Sequence, residues 1–376
     1  MIDFSKLILR TFAHESIDRI VWQPRIMFWY NSNRIQSLTP EKYPTVEKYV
    51  PKEYVGKGIK EIYRDINGSI RYPQETFGYP LFHESRKPNH QVKTRRRRLN
   101  YKAYHIKTIT PVGEVSHVEK DTRIIDFPVK KIEDLKVIKH LEEQTDFNFS
   151  SVMYEKAKKE MEGFGIPTSY YFRSPYMKCV LNYLGFERTI IFLRKYKYEM
   201  EDFFHHLESI DLEKYKRVIT KCPLKLVNFG ENIDHNLSSP PYFEKFLLDY
   251  YETRVKLLHD TRKFAFIHID GSFKNLLPYL STMSFDGYEA LTPPPQGDVP
   301  LEDIAKALGD SGKLLVDGIP ATLFLREFKE SRIIDLTKKI LDLFSPNLIL
   351  GISDELCIGD GRRLKTVSKI VDQFEP

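Results

Sequence analysis

Apolar residues in this chain gather in short runs, and longer stretches between them repeat apolar positions at helical spacing. Phe264-Ala265-Phe266-Ile267, Leu314-Leu315-Val316 and Leu348-Ile349-Leu350 are such runs, and polar residues follow each of them closely. Apolar runs separated by helices predict parallel strands buried on both faces. The clearest unit is Phe264 to Pro294. It reads as a strand, a helix over about Phe273 to Met283, a second strand around Tyr288-Glu289-Ala290, and a proline-rich stop.

Along the chain, Ser5 to about His14 predicts a short helix with Ser5 as N-cap. A first strand enters at Asp18 to Trp22 and ends at Gln23-Pro24, with the aromatic segment Met27 to Tyr30 packing over its end. Between about residues 58 and 128 the pattern turns β-rich. Asn67-Gly68 predicts a hairpin between Ile62 and Ile70, Arg98 to Thr110 alternates, and Val115 to Val118 returns after a turn. This excursion is expected to pack as an antiparallel elaboration on a larger body. From Ile132 onward helices and strands alternate. Strands are expected at Ile166 to Phe172, Leu224 to Gly230, Lys313 to Gly318 and Leu348 to Asp354, and an apolar stretch, Ile190 to Leu193, falls between two of the helices. The expected architecture is α/β: a (β/α)8 TIM barrel with an N-terminal antiparallel β elaboration, forming a single domain over residues 1–376. Neither GxGxxG after a strand nor GxxxxGK[ST] occurs, which argues against a nucleotide-binding open sheet.

Composition narrows the class. With 376 residues and 41% hydrophobic content, the chain can build a large core. A net charge of +6, offset by 52 acidic residues, fits an ordinary surface with no nucleic-acid partner. The basic run Arg95 to Arg98, flanked by Lys93 and Lys102, reads as an exposed loop or edge-strand face. Cys179, Cys222 and Cys357 are scattered and form no disulfide framework, which suits the reducing cytoplasm. No run approaches the roughly 18 apolar residues of a membrane span, so no membrane association is expected.

In parallel α/β folds chemistry gathers at the carboxyl ends of the strands. His268 and Asp270 stand two apart after an apolar run, so an extended strand would place both on one face, able to hold a metal or a proton. Glu289, after the next strand, would complete that group. Asn228 and Glu231 flank the preceding strand end, and Asp317 and Asp354 mark later ones. Carboxylates crowded at one mouth repel each other unless they are protonated or bridged by a cation, and Arg173 is a candidate to neutralise one. His205-His206 reads as helix surface, and Cys179 and Cys222 as small buried residues.

Several segments together resemble a known superfamily. They are Phe229-Gly230-Glu231 with Ser239 to Phe243, His268-Ile269-Asp270-Gly271, Asp286 to Ala290, Asp317-Gly318-Ile319-Pro320, and Leu350 to Asp354. In order and spacing they are similar to the uroporphyrinogen decarboxylase superfamily. Thr110 to Gly113 and Val129 to Leu135 resemble its corrinoid-dependent methyltransferase branch in particular. The resemblance implies one barrel with its site at the mouth. His268, Asp270 and Glu289 would be the catalytic and metal-holding residues. Arg25, Arg173, Asn228, Glu231, Asp317 and Asp354 would line the substrate. Zinc is the implied metal, and the corrinoid would come with a partner protein. A homodimer is the assembly entertained.

The departures from that pattern are specific. Where the decarboxylases carry an arginine-rich segment, this chain offers Arg25 alone, too little to clamp a porphyrinogen. Where the thiol methyltransferases hold zinc with cysteines, it has Asp270 and Ser353, with Cys357 too late in the sequence. The expected function is therefore methyl transfer between a small methylated substrate or acceptor and a corrinoid protein. The alternatives are a decarboxylase or lyase acting on a small carboxylic acid through Arg25, Arg173 and Asp270, and a non-catalytic barrel that binds a partner.

Overall fold

Seven parallel strands form the centre of the molecule, seen in a computed structural model that describes residues 2–38, 50–88 and 91–376. A helix, Phe4–Phe12, comes first and is capped by the Asp3 carboxylate accepting from Lys6 N at 3.1 Å. The expected cap, Ser5, instead donates to Gly165 O at 2.7 Å. The chain then enters β1 (Val21–Trp22) and leaves the sheet for β2 (Phe82–Arg86), β3 (Lys93–Asn100), β4 (Ala103–Thr110), β5 (Gly113–Lys120), β6 (Arg123–Asp126) and β7 (Thr145–Phe149). It returns as β8 (Thr168–Tyr171), β9 (Leu226–Ile233), β10 (Phe264–Ile269), β11 (Gly287–Glu289), β12 (Leu314–Pro320) and β13 (Leu348–Ser353), with helices between.

The spatial order of the parallel sheet is β1-β13-β12-β11-β10-β9-β8. From β8 to β13, strands consecutive in sequence are neighbours in space, as in successive βαβ units, and β1 pairs with β13. Residues of β12 and β13 are buried throughout, which explains their near-continuous apolar sequence. At the amino ends of the strands, Val21, Leu226, Phe266, Leu314, Val316 and Ile349 pack with Phe4, Leu7, Ile8 and Phe12, so the first helix stops that end of the sheet. The polar residues are left to the other end. No helix among the described residues is long and apolar enough to cross a membrane.

The expected eighth strand is not formed among the described residues. The gap between β1 and β8 holds the extended segment Ser69–Arg71, in which Ser69 N donates to Trp22 O at 2.7 Å and Ile70 N to Phe164 O at 2.8 Å. The hairpin expected at Ile62 to Ile70 is overturned here. Residues Ile59–Asp65 form a helix that buries Ile62 and Tyr63, and Asn67-Gly68 is the turn that ends it, with Gly68 N donating to Tyr63 O at 2.8 Å. The local Asn-Gly signal is real, but the apolar spacing of Ile62, Tyr63 and Ile66 suits a helix packing against the core. Likewise, Ile190 to Leu193 belongs to one helix, Phe186–Lys195.

The antiparallel elaboration is present as a four-stranded sheet, β3-β4-β5-β6, narrower than the expected excursion. A separate two-stranded sheet pairs β2 with β7 in antiparallel fashion.

Candidate functional site

At the carboxyl ends of β9 to β13, polar side chains meet inside an otherwise apolar barrel-like sheet. Register aligns His268 of β10 with Glu289 of β11, and Glu289 with Val316 of β12, one residue before Asp317. Glu289 is fully buried and is the hub. Its Oε2 lies 2.7 Å from His268 Nδ1 and accepts from Asn228 Nδ2 at 2.6 Å. Its Oε1 accepts from Tyr72 Oη at 2.6 Å and is paired with Arg71 Nη1.

Arg71 bridges the two buried carboxylates. Its Nη2 donates to Asp317 Oδ1 at 2.7 Å and its Nη1 to Asp317 Oδ2 at 3.2 Å, while Nε donates to Gln23 Oε1 at 2.7 Å. Gln23 in turn donates from Nε2 to Ser69 Oγ at 2.9 Å. Such a fork fixes orientation as well as charge. Tyr72 stacks on Tyr170 at 4.3 Å between ring centroids. This cluster answers the crowding of carboxylates that the sequence implied. Protonation or a cation would relieve it, and the chain supplies a cation of its own in Arg71.

The electrostatics follow from these contacts. Burial alone would raise Glu289, but the Arg71 charge and the His268 hydrogen bond hold it well below the usual carboxylate range. Burial lowers His268, yet the Glu289 hydrogen bond and charge outweigh it and raise the imidazole above its ordinary value. Burial raises Asp317 against the pull of Arg71, and the Glu289 charge adds to the rise. Glu289 is therefore the fixed anion, and Asp317 the carboxyl that takes a proton first.

At the mouth, His268 Nε2 and Arg25 Nη1 each lie 3.9 Å from the same oxygen, Asp354 Oδ1. That distance is beyond hydrogen bonding. The Asp354 side chain is 57% exposed, whereas that of Arg25 is 9% exposed. Arg25 is held by Glu75, from Nη2 at 2.7 Å and from Nε at 3.2 Å, and its Nη1 is buried with no hydrogen-bond partner. Glu355, 3.7 Å from Arg25 Nη2, is pushed by burial up to about 7 despite that charge. Asn232, Ala290, Asp317 and Asp354 adopt positive φ of 58°, 62°, 84° and 65°. Such conformations in non-glycine residues persist only where the surroundings hold them, and they gather at functional sites.

The sequence-derived candidates separate into three groups. His268, Glu289, Asn228 and Asp317 are together, and Arg25 and Asp354 stand at the mouth beside His268. Asp270 is not with them. Pairing between β9 and β10 shifts register between Ile267 and Ile269, and β10 ends at Ile269, so alternation does not carry Asp270 onto the face of His268. Asp270 is exposed and accepts from Asn232 Nδ2 at 3.0 Å. Glu231 is buried apart from the hub, accepting from Ser174 Oγ at 2.9 Å and Tyr251 Oη at 3.0 Å, and burial pushes it up to about 7. Arg173 donates to Asn232 Oδ1 at 3.0 Å and neutralises neither hub carboxylate.

The expected metal set of His268, Asp270 and Glu289 is thus not assembled. Among the described residues no three His, Cys, Asp or Glu side chains are grouped to hold a metal ion. The chemistry of the donors points the same way for zinc. His268 Nδ1 is bonded to Glu289, Glu289 and Asp317 are already bridged by Arg71, and Ser353 Oγ accepts from Gly318 N at 3.1 Å. Cys357 is exposed as a residue, and the partial desolvation of its sulfur together with nearby carboxylates raises its thiol. A thiolate-bound zinc does not fit this set.

Arg71, Tyr72 and Gln23 were not legible as site residues. Their signal was an arginine set between Ile70 and Tyr72, which the hairpin expectation placed on an excursion away from the mouth.

No family model and no curated protein matches the chain. Solved structures do. A methyltransferase from Methanosarcina mazei superposes with a TM-score of 0.60 at 11% identity, covering 100% of this chain and 99% of that one. The likeness is one of fold. The chain has the barrel-like fold of that methyltransferase. A putative vitamin-B12 independent methionine synthase from Listeria monocytogenes covers 94% of the chain at 12% identity with a TM-score of 0.41.

Proposed function

We propose that the protein is a methyltransferase moving a methyl group between a small methylated substrate or acceptor and a corrinoid protein. It would work as a single (β/α)8-type barrel domain in the cytoplasm. The observation that carries this reading is His268: Nδ1 is bonded to a buried anion that Arg71 holds in place, while Nε2 is turned toward the mouth. Methyl departure from a heteroatom leaves an electron pair that needs a proton, and methyl arrival at an acceptor displaces one. His268, whose protonated form Glu289 favours, delivers that proton from Nε2. In the reverse direction its neutral form receives it. Arg25 Nη1 offers a second donor to the same space and orients the substrate. The corrinoid of the partner supplies the cobalt chemistry of the methyl group itself.

The test uses the purified full chain, free methylcobalamin in place of the partner, and a panel of small thiols, amines and alcohols. Demethylation is followed by absorbance. A folded His268→Ala variant is expected to lose on the order of 10²-fold or more in rate, the scale of general acid–base catalysis, with His268 taking the acceptor's proton in this direction. Wild-type rates in that variant would remove the assignment.

One observation favours the alternative of a decarboxylase or lyase on a small carboxylic acid. The buried, unpartnered Nη1 of Arg25 is a ready place for a carboxylate oxygen. Carbon dioxide release without any corrinoid requirement would identify that activity.

A further inference from the structure

The densest charge in the sequence lies far along the chain from the site residues. Lys93, Arg95, Arg96, Arg97 and Arg98 stand on β3, every residue of which is exposed. They contribute five positive charges in a chain whose net charge is +6. β3 is also an edge. It pairs with β4 on one side, and among the described residues no strand pairs with its other side.

Among the described residues no carboxylate answers these charges. Lys93, Arg95 and Arg97 have no ion pair among the described residues. Arg96 lies over the Tyr104 ring at 3.7 Å, and Arg98 Nε donates to Asn100 O at 3.3 Å. Across the ladder Arg95 stands opposite Lys107, which pairs with Glu114 at 2.6 Å, and Arg97 stands opposite His105. Like charges directly opposed on a sheet are destabilising. Lysines or mixed charges suffice to keep an edge strand from aggregating. Five cations of one sign go beyond that and add repulsion, which an arriving anion would relieve.

Alternation fixes the shape of that anion. Arg95 and Arg97 point to one face of the sheet, and Arg96 and Arg98 to the other. A ligand lying flat on either face meets one row. A strand added at the edge meets both rows and the open backbone groups between them. No aromatic residue interrupts Lys93 to Arg98 to serve as the stacking platform that single-stranded nucleic acid uses.

We propose that the open edge of β3 takes an acidic, extended segment of a partner protein as a fifth strand. Its carboxylates pair with Arg95 and Arg97 on one face and with Arg96 and Arg98 on the other. This inference does not rest on the methyl-transfer reading.

The experiment titrates the full chain into a fluorescent peptide of about ten residues, long enough to span β3, with glutamates at both odd and even positions. Binding that weakens with salt is expected. Methylating alternate backbone nitrogens of the peptide keeps its charge and blocks strand pairing. It should weaken binding about tenfold or more, the worth of one or two net hydrogen bonds. The double variant Arg95→Glu, Arg97→Glu should weaken it at least as much with an unchanged circular dichroism spectrum, since both side chains are exposed. Absent binding, equal binding of the methylated peptide, or tighter binding of a single-stranded oligonucleotide of equal charge would overturn the proposal.

Discussion

Gly351 stands where only a hydrogen can, because a Cβ there would lie 2.2 Å from Asp317 Oδ1 and 2.9 Å from the backbone oxygen of Gln23. The two residues sit on adjacent strands, with Gly318 rather than Asp317 in register with Gly351. Gly351→Ala is therefore expected to force the Asp317 carboxylate off Arg71. The loss should be about 1–3 kcal/mol, as for other overpacked interiors, measured as a shift of the urea midpoint at constant slope. An unshifted midpoint would mean that the carboxylate has room to move.

Arg71→Met leaves Glu289 and Asp317 buried without their shared cation. Breaking a buried pair from one side typically costs about 3–5 kcal/mol. Adding Glu289→Gln and Asp317→Asn to that variant should restore part of the stability, since the uncompensated charges are then gone. A triple variant no more stable than Arg71→Met alone would contradict the charge-balance account of the cluster.

Asp270→Ala should change stability by no more than about 0.5 kcal/mol, the usual range for an exposed position, and should leave methyl transfer near the wild-type rate. A metal ligand would behave differently, so a large loss of activity here would reinstate Asp270 in the site.

The pH dependence of stability has two opposing parts. Glu231, raised to about 7 by burial against the pull of Ser174, Arg173 and Tyr251, binds its proton more tightly when folded. Its contribution is full below the unfolded carboxylate value and is lost as pH rises toward 7, with a limiting slope of about 1.4 kcal/mol per pH unit. Glu289 is held low, so its contribution is present above the unfolded value and is lost as pH falls through the folded one. Urea unfolding between pH 4.5 and 7 should show that Glu231→Gln removes part of the decline toward neutrality. An identical profile in the variant would show that Glu231 titrates normally.

Much of the α/β architecture could be read from the chain because its strands are buried on both faces and its apolar runs are nearly unbroken, as in Leu348 to Ile352. His268, Glu289, Asn228 and Asp317 were legible for the same reason: each is a polar residue at the end or in the midst of such a run. Asp270 was misplaced because β10 ends at Ile269, where its pairing with β9 also slips by two residues, so the alternation stops short of Asp270, and nothing in the composition of His268-Ile269-Asp270 marks that end. Arg71 was missed because its segment has too few residues to show a period. Its extended form is imposed by hydrogen bonds to Trp22 and Phe164, far away in sequence.

That imposed form has a consequence for how the protein would come apart. The stretch Ser69–Arg71 is tied by backbone bonds to Trp22 and Phe164, outside any strand ladder, and it delivers the charge on which Glu289 and Asp317 depend. The segment between β1 and β8 and the electrostatic keystone of the site are the same few residues. Local opening there would strip two buried anions of their counterion at once, so the mouth would lose its chemistry while the remaining strands still held together.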